Sequence, residues 1–501
     1  MGKSKSPVAI AKSPTGIRGL DEITNGGLPK GRTALVCGNA GCGKTILGME
    51  FLAHGAAEHN EPGVFISFEE TPEELQKNFA SLGYDLKQLE ADKKLLVDYI
   101  YIERSEIEET GSYDLDGLFI RIEHAIKSIR AKRVVLDTLE VLFSGLTQEG
   151  IIRAELRRLF RWLKEKGVTA VITGERGEGM LTRYGLEEYV ADCVILLDLR
   201  VVDQIATRRL RIIKYRGSVH GTDEYPFLID EKGISILPLT SLALKHSVST
   251  KFISSGIPQL DEMLDGKGYY LGSTVLVSGI AGSGKSSIAA SFVTAAAKRK
   301  ERCLYFAFEE SSAQILRNMK SIGFNMEPLV KNHLLKFHSA RPSAHGLEMH
   351  LVVMHKIITE FRPQVVVVDP ISNLIAVGSS LEAKSMLTRL IDYIKSEHIT
   401  GLFTDLIHGG SSGERTNEEI SSLIDTWISL EDFQAVGERN RGIQVIKSRG
   451  MPHSNQIREF LITDKGLKLL EVCISQNGIL TGSARKFYEE KMAAETIKRN
   501  S

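Results

Sequence analysis

Cysteine is scarce in this chain, five in 501 residues. Cys37, Cys42, Cys193, Cys303 and Cys473 show neither the paired spacing of a metal site nor an even disulfide framework. A disulfide-stapled domain and a cysteine-built metal centre are thereby excluded, and a reducing compartment is implied. Long apolar runs are missing too: none approaches the roughly 18 residues needed to cross a bilayer, and no secretory signal is present, so the expectation is a cytoplasmic protein without a membrane partner. Charge of one sign is not in excess, because 63 Lys and Arg balance 63 Asp and Glu. The totals therefore announce no basic nucleic-acid surface, although a local channel can exist at zero net charge. What remains, 42% hydrophobic and 25% charged, is the composition of an ordinary globular chain.

The informative feature is a doubled motif. GNAGCGKT, comprising Gly38, Asn39, Ala40, Gly41, Cys42, Gly43, Lys44 and Thr45, has the G-x-x-x-x-G-K-[ST] form. GIAGSGKS repeats it with Gly279, Ile280, Ala281, Gly282, Ser283, Gly284, Lys285 and Ser286. Glycines let consecutive backbone N–H groups converge on phosphate oxygens, and the following helix N-terminus adds a favourable dipole. Lys44 and Lys285 are expected to reach the β- and γ-phosphates of ATP, and Thr45 and Ser286 to ligate Mg2+. An apolar β-rich run precedes each loop and a helix-like run follows, the context that a phosphate loop requires. Cys42 reads as a small residue tolerated in the loop rather than an oxidation sensor.

The repeat extends beyond the loops. TGIRGLDE from Thr15 is answered 240 residues later by SGIPQLDE from Ser255. FISFEE answers YFAFEE, RVVLD ending at Asp137 answers VVVVD ending at Asp369, and IKYRGSVH answers IKSRGMPH. Each half therefore reads as one α/β domain, a mainly parallel sheet covered by helices on both faces, with nucleotide at the strand C-terminal edge. The predicted divisions are a flexible lead-in at 1–13, domains at 14–240 and 253–485 around a linker at 241–252, and a helical tail at 486–501.

The acidic pairs Glu69/Glu70 and Glu309/Glu310 stand at strand ends, where a group that activates the attacking nucleophile belongs. The base role falls to Glu69 and Glu309. The competing reading is that the pairs merely open the next helix, since acids are favourable at helix N-termini. Asp137 and Asp369 end apolar strands, the placement of an acid that holds magnesium through water; turn formation is the alternative.

The doubled loops, both Glu-Glu pairs and both K-x-R-G-x-x-H stretches resemble the KaiC family of two-domain circadian-clock ATPases and their non-clock relatives, from about Pro14 to Arg485. The resemblance implies tandem RecA-like domains, stacked as a double-ring homohexamer with ATP between neighbouring subunits. Lys214, Arg216 and His220 match the stretch that reaches a neighbour's nucleotide in the first ring, and Lys447, Arg449 and His453 match it in the second. A hairpin of solvated basic residues is the bland alternative. In the family the first ring hydrolyses ATP while the second phosphorylates a neighbouring subunit and later removes the phosphates. Here Ser421 and Ser422 occupy the two phosphoacceptor positions, Ser-Ser where the clock protein has Ser-Thr, and Thr416 matches a nearby family threonine. Taken alone, such serines are N-cap or loop residues.

Tyr101 to Gly117 is acidic and lies where the family presents its KaiB-docking surface, so the resemblance implies a KaiB-like partner, while a charge-rich insertion is more often simply a solvated loop. KFYEEKMAAETIKRNS follows the family's C-terminal loop in place of its flexible KaiA-binding tail, and KaiA dependence does not carry over. The expectation is a Mg-ATP-dependent ATPase with serine/threonine autokinase and autophosphatase activity, a KaiC homologue rather than a full oscillator component. A RecA-like DNA motor and a nucleotide-gated scaffold without kinase activity are the rival classes.

Overall fold

The computed structural model describes residues 10–101, 115–143, 149–177, 180–182, 185, 190–202, 205–238, 248–375, 377, 379–407, 422–435, 438–475 and 478–488. The chain divides into two compact units, Met1–Ser241 and Leu242–Ser501. Among the described residues each unit is built on one nine-stranded sheet.

In the first unit the strands are β1 (Thr33–Gly38), β2 (Gly63–Ser67), β3 (Leu95–Tyr99), β4 (Arg133–Asp137), β5 (Thr169–Glu175), β6 (Cys193–Val202), β7 (Ile205–Tyr215), β8 (Glu224–Asp230) and β9 (Gly233–Ile236). Their spatial order is 3-2-4-5-1-6-7-8-9. The first six of that order pair in parallel, and β7, β8 and β9 extend the sheet by antiparallel pairing. In the second unit the strands are β10 (Thr274–Gly279), β11 (Cys303–Ala307), β12 (Leu335–Ser339), β13 (Val365–Asp369), β14 (Thr400–Leu406), β15 (Thr426–Ala435), β16 (Glu438–Ser448), β17 (Arg458–Thr463) and β18 (Gly466–Glu471). The order 12-11-13-14-10-15-16-17-18 repeats the first topology strand for strand. The duplication read from the sequence is thus a duplication of fold.

Alternation of side chains explains why the central strands are apolar throughout. In β1, Ala34 and Val36 pack on one face with Leu47, Phe51, Phe65 and Val135. Leu35 and Cys37 pack on the other with Val134, Leu136, Phe119 and Leu156. Helix α1 (Lys44–Glu58) covers the first face directly after β1, and helix α2 (Lys285–Lys298) does the same after β10. Burying two faces at about 25 cal/mol per Å² is what holds each domain together. Arg133, which opens β4 wholly buried, is matched by Glu61 at 2.8 Å and by the Phe51 carbonyl at 2.7 Å.

Lys12 and Ser13, within the segment read as a flexible lead-in, pair with Pro29 and Leu28. No described helix is long and apolar enough to cross a membrane.

Candidate nucleotide sites

Each loop leaves a central strand and enters a helix, as its spacing demands. Gly43 and Gly284 cap α1 and α2 at φ of 103° and 104°, a left-handed conformation that glycine alone adopts freely. At Gly38 a Cβ would lie 2.2 Å from the Leu197 carbonyl oxygen. The motif's glycines are therefore dictated by close approach as well as by φ.

Lys44 Nζ donates to the Gly38 and Asn39 carbonyls at 2.9 and 3.1 Å. Lys285 Nζ donates to Gly279 and Ile280, both at 2.8 Å. Both lysines are buried within the loop they belong to. Burial lowers the Lys285 ammonium, while Asp369, Asp405 and Glu309 act in the opposite sense.

Asp137 and Asp369 sit at the ends of β4 and β13, and both are buried. The Thr173 hydroxyl donates to Asp137 Oδ1, and the Thr404 hydroxyl donates to Asp369 Oδ1. Burial pushes the Asp137 carboxyl up, opposed by hydrogen bonds from Thr173 and Thr45 and by the Lys44 ammonium. In the second domain Tyr305, wholly buried, donates from its hydroxyl to Asp369 Oδ2 at 2.5 Å. Burial and then the Asp369 charge raise its phenol far above the ordinary tyrosine value, so it stays a donor.

A cavity of about 300 Å³ in the second domain gathers Gly282, Gly284, Lys285, Ser286, Glu309, Glu310 and Asp369. Five of the eight predicted loop residues, from Ala281 to Ser286 without Ser283, therefore share one space with Asp369 and the Glu309/Glu310 pair. In the first domain Glu69 is exposed and Glu70 half-buried. Burial first, then the charges of Asp137, Glu74 and Glu69, raise the Glu70 carboxyl. Neither pair caps the next helix. Thr71 and Glu74 form the capping box of Pro72–Ala80, and Ser311 and Gln314 that of Ser312–Ser321. The pairs are thereby excused from capping, and Asn318 Nδ2 donates to both Glu310 carboxylate oxygens at 3.3 Å.

The basic stretches lie elsewhere. Gly38 is level with Leu197 and, across it, Leu210, whereas Ala34 is level with Cys193 and Tyr215. Lys214 and Arg216, which bracket Tyr215, thus stand four residues, roughly 13 Å, back along the strands from their own phosphate loop. Lys447 and Arg449 bracket Ser448, which is level with Thr426 and Val275, while the second loop begins at Gly279, level with Leu430 and Ile443. A bulge precedes each lysine, where pairing shifts between Val194/Ile195 and between Trp427/Ile428, and bulges re-aim the side chains beside them. The Arg216 amide donates to the Asp192 backbone carbonyl at 2.9 Å and the Arg449 amide to the Asp425 backbone carbonyl at 2.8 Å, while both side chains are exposed. His220 stacks on Tyr215 with ring centroids 6.2 Å apart, and His453 is exposed. Burial lowers the Lys447 ammonium, helped by Arg449.

Ser422 is exposed, and its carbonyl accepts from Arg449. Thr416 and Ser421 lie outside the described residues, as do 102–114 of the acidic stretch and 489–501 of the tail. Sequence reasoning missed Thr173, Thr404, Tyr305 and Arg441, whose Nε donates to the Gly282 carbonyl at 3.1 Å. The threonines recur at matching places in the two halves, and that recurrence was a usable signal.

Glycine cradles, a buried lysine and a hydroxyl next to a carboxylate form a donor set suited to a triphosphate and to a hard, octahedral cation.

The family model described as ATPase: KaiC matches residues 13–241 and again 253–472. The chain is 55% identical over 499 residues to the circadian clock protein KaiC2 of Synechocystis sp., covering 99% of this chain and 88% of the relative. It is 40% identical over 497 residues to the circadian clock oscillator protein KaiC of Synechococcus elongatus, covering 98% and 95%. The circadian clock protein KaiC3 of Synechocystis sp. matches at 39% over 485 residues, covering 95% and 94%.

Proposed function

The chain belongs to the KaiC family of ATPases, and from that premise we propose that it is a homohexameric, magnesium-dependent ATPase whose second domain is also a serine/threonine autokinase and autophosphatase, acting in circadian timing or related regulation. One observation carries the assembly: in both domains the K-x-R-G-x-x-H stretch stands at the end of the sheet opposite its own phosphate loop. Exposed arginines so placed serve another subunit's nucleotide, and charge stabilisation by a neighbour is a recurrent reason for such ATPases to assemble.

Lys44 and Lys285 bind the β- and γ-phosphates, and Arg216 and Arg449 of a neighbouring subunit meet the γ-phosphate from the other side. Thr45 with Asp137, and Ser286 with Asp369, would hold Mg2+, which would supply charge neutralisation at the phosphates. Glu69 accepts the proton of the attacking water in the first domain. In the second, Glu309 accepts the proton of a serine hydroxyl, so that a P–O bond forms at Ser421 or Ser422 as the bond to ADP breaks. Glu70 and Glu310 orient the nucleophile beside them. Ser422 precedes β15 at the Arg449 end of the sheet, which supports transfer to it from a neighbour rather than from its own loop. The acidic stretch from Tyr101 is the KaiB-like docking surface, with no KaiA-like partner and no nucleic acid required, and the protein works in the cytoplasm.

Native mass with and without MgATP, ATP turnover, and phosphopeptide mass spectrometry on Ser421→Ala/Ser422→Ala and Glu309→Gln variants test the reading. Phosphate at either serine that disappears in Glu309→Gln is the expected result. Unmodified serines with continuing turnover reduce the protein to a plain ATPase, and hexamers without turnover to a scaffold.

A further inference from the structure

The two domains differ at the acid that ends the fourth strand. In the first, the Thr173 hydroxyl donates to Asp137 Oδ1. In the second, the Thr404 hydroxyl donates likewise to Asp369 Oδ1, and the Tyr305 hydroxyl donates in addition to Oδ2 at 2.5 Å. The register makes the contrast a substitution at one position. Phe65 pairs with Val135, two residues before Asp137, and Tyr305 pairs with Val367, two residues before Asp369. Phe65 and Tyr305 are both fully buried. A single phenolic hydroxyl therefore stands on the strand-ending acid in one domain where the other has a phenylalanine.

We propose that Tyr305 is a positioning residue that raises the magnesium requirement of the second domain above that of the first. The inference rests on the reading of Ser286 and Asp369 as magnesium-holding residues. A carboxylate has a limited number of acceptor positions. With Thr404 on Oδ1 and Tyr305 on Oδ2, Asp369 has part of its charge offset and one acceptor occupied on each oxygen before any cation is present. Removing the phenol oxygen hands an acceptor position back to the metal seat, and the ring itself still fills the core. In the first domain Asp137 has no phenol beside it, because Phe65 stands at that position, and adding a hydroxyl at Phe65 would impose one.

The test measures binding of a fluorescent, non-hydrolysable ATP analogue against free Mg2+. A Lys44→Ala background isolates the second domain and a Lys285→Ala background the first. Tyr305→Phe is expected to lower the Mg2+ concentration for half-maximal binding by roughly three- to tenfold, the scale of one hydrogen bond. Phe65→Tyr is expected to raise it in the first domain by a similar factor. A purely structural role would move the melting temperature in Tyr305→Phe without moving the Mg2+ midpoint. Unshifted midpoints in both substitutions, or a midpoint that rises in Tyr305→Phe, would overturn the assignment while leaving the magnesium reading intact. Binding that is indifferent to Mg2+ in the unsubstituted domains would overturn both.

Discussion

Arg449 Nη2 donates to the backbone carbonyl of Ser422 at 2.6 Å. The segment read as the phosphoacceptor is thereby joined to the arginine read as reaching a neighbour's nucleotide, and both stand at the end of the sheet away from their own loop. An acceptor and a charge-stabilising group that travel together can enter a neighbour's site as one unit.

This arrangement predicts complementation between subunits. Arg449→Ala is expected to reduce phosphorylation at Ser421 and Ser422 by roughly 100-fold or more, the scale set by arginine fingers. Arg449→Lys recovers little, because a point charge does not reproduce the planar fork. In hexamers mixed from Arg449→Ala and Lys285→Ala chains, phosphate should return on the Lys285→Ala chains, which keep the arginine and the serines. Phosphopeptide mass spectrometry with isotope-labelled chains reads this directly, and phosphate confined to the other chain would refute transfer between subunits.

Glu69→Gln and Glu309→Gln are each expected to cut their own domain's phosphoryl transfer by roughly 10²- to 10⁴-fold while nucleotide binding persists, as for loss of a general base. Glu70→Gln and Glu310→Gln are expected to cost less. Single-turnover assays in backgrounds where the other loop carries Lys→Ala separate the contributions. Equal losses from both members of a pair would move the base assignment off the first Glu.

Much of this was readable before any coordinates. The phosphate loops, the strand-ending acids and the duplication are local patterns, and a glycine forced by φ at Gly43 or by close approach at Gly38 leaves its mark on the sequence. The antiparallel extension was less legible: Ile205–Tyr215 reads only as a basic β-rich run, and nothing local says which neighbour it pairs with. For the same reason the distance between Lys214 and its own loop was invisible, since register is a long-range property. The Tyr305–Asp369 hydrogen bond was missed because an aromatic in an apolar strand reads as core, and its hydroxyl's partner lies 64 residues away. The helix caps were the opposite case. Thr71 with Glu74 and Ser311 with Gln314 follow a printed pattern, and reading it would have freed the acidic pairs from the capping role at once.

Cys42 is fully buried, and burial raises its thiol, against the opposing pull of Lys44. A thiol held protonated is a poor nucleophile. Iodoacetamide is therefore expected to leave Cys42 unlabelled in the native protein at neutral pH, as followed by peptide mapping. Cys42→Ser, which reproduces the residue found at Ser283 in the second loop, should bind nucleotide within about twofold of the original. Rapid labelling of the folded protein would instead make the first loop redox-sensitive.

Glu50 sits in the middle of α1, buried beneath β9, where its Oε1 accepts from the Ile234 amide at 2.8 Å. Burial pushes its carboxyl from 4.5 up to about 7, opposed by the Ile234 and Tyr84 hydrogen bonds and reinforced by Asp230. The folded chain thus holds this proton more tightly than the unfolded chain does. Between the two values the native state binds more protons, so stability falls as pH rises. The contribution is full below about pH 4.5 and is lost by about pH 7. A shift of that size corresponds to about 3 kcal/mol. Glu50→Gln keeps an acceptor for Ile234 and cannot ionise, so the first domain should melt at nearly the same temperature at pH 5 and pH 8, whereas the unsubstituted domain should melt several degrees lower at pH 8. Calorimetry at the two pH values, with the second domain's transition as internal reference, decides it. A pH dependence that survives the substitution would assign the effect to another group.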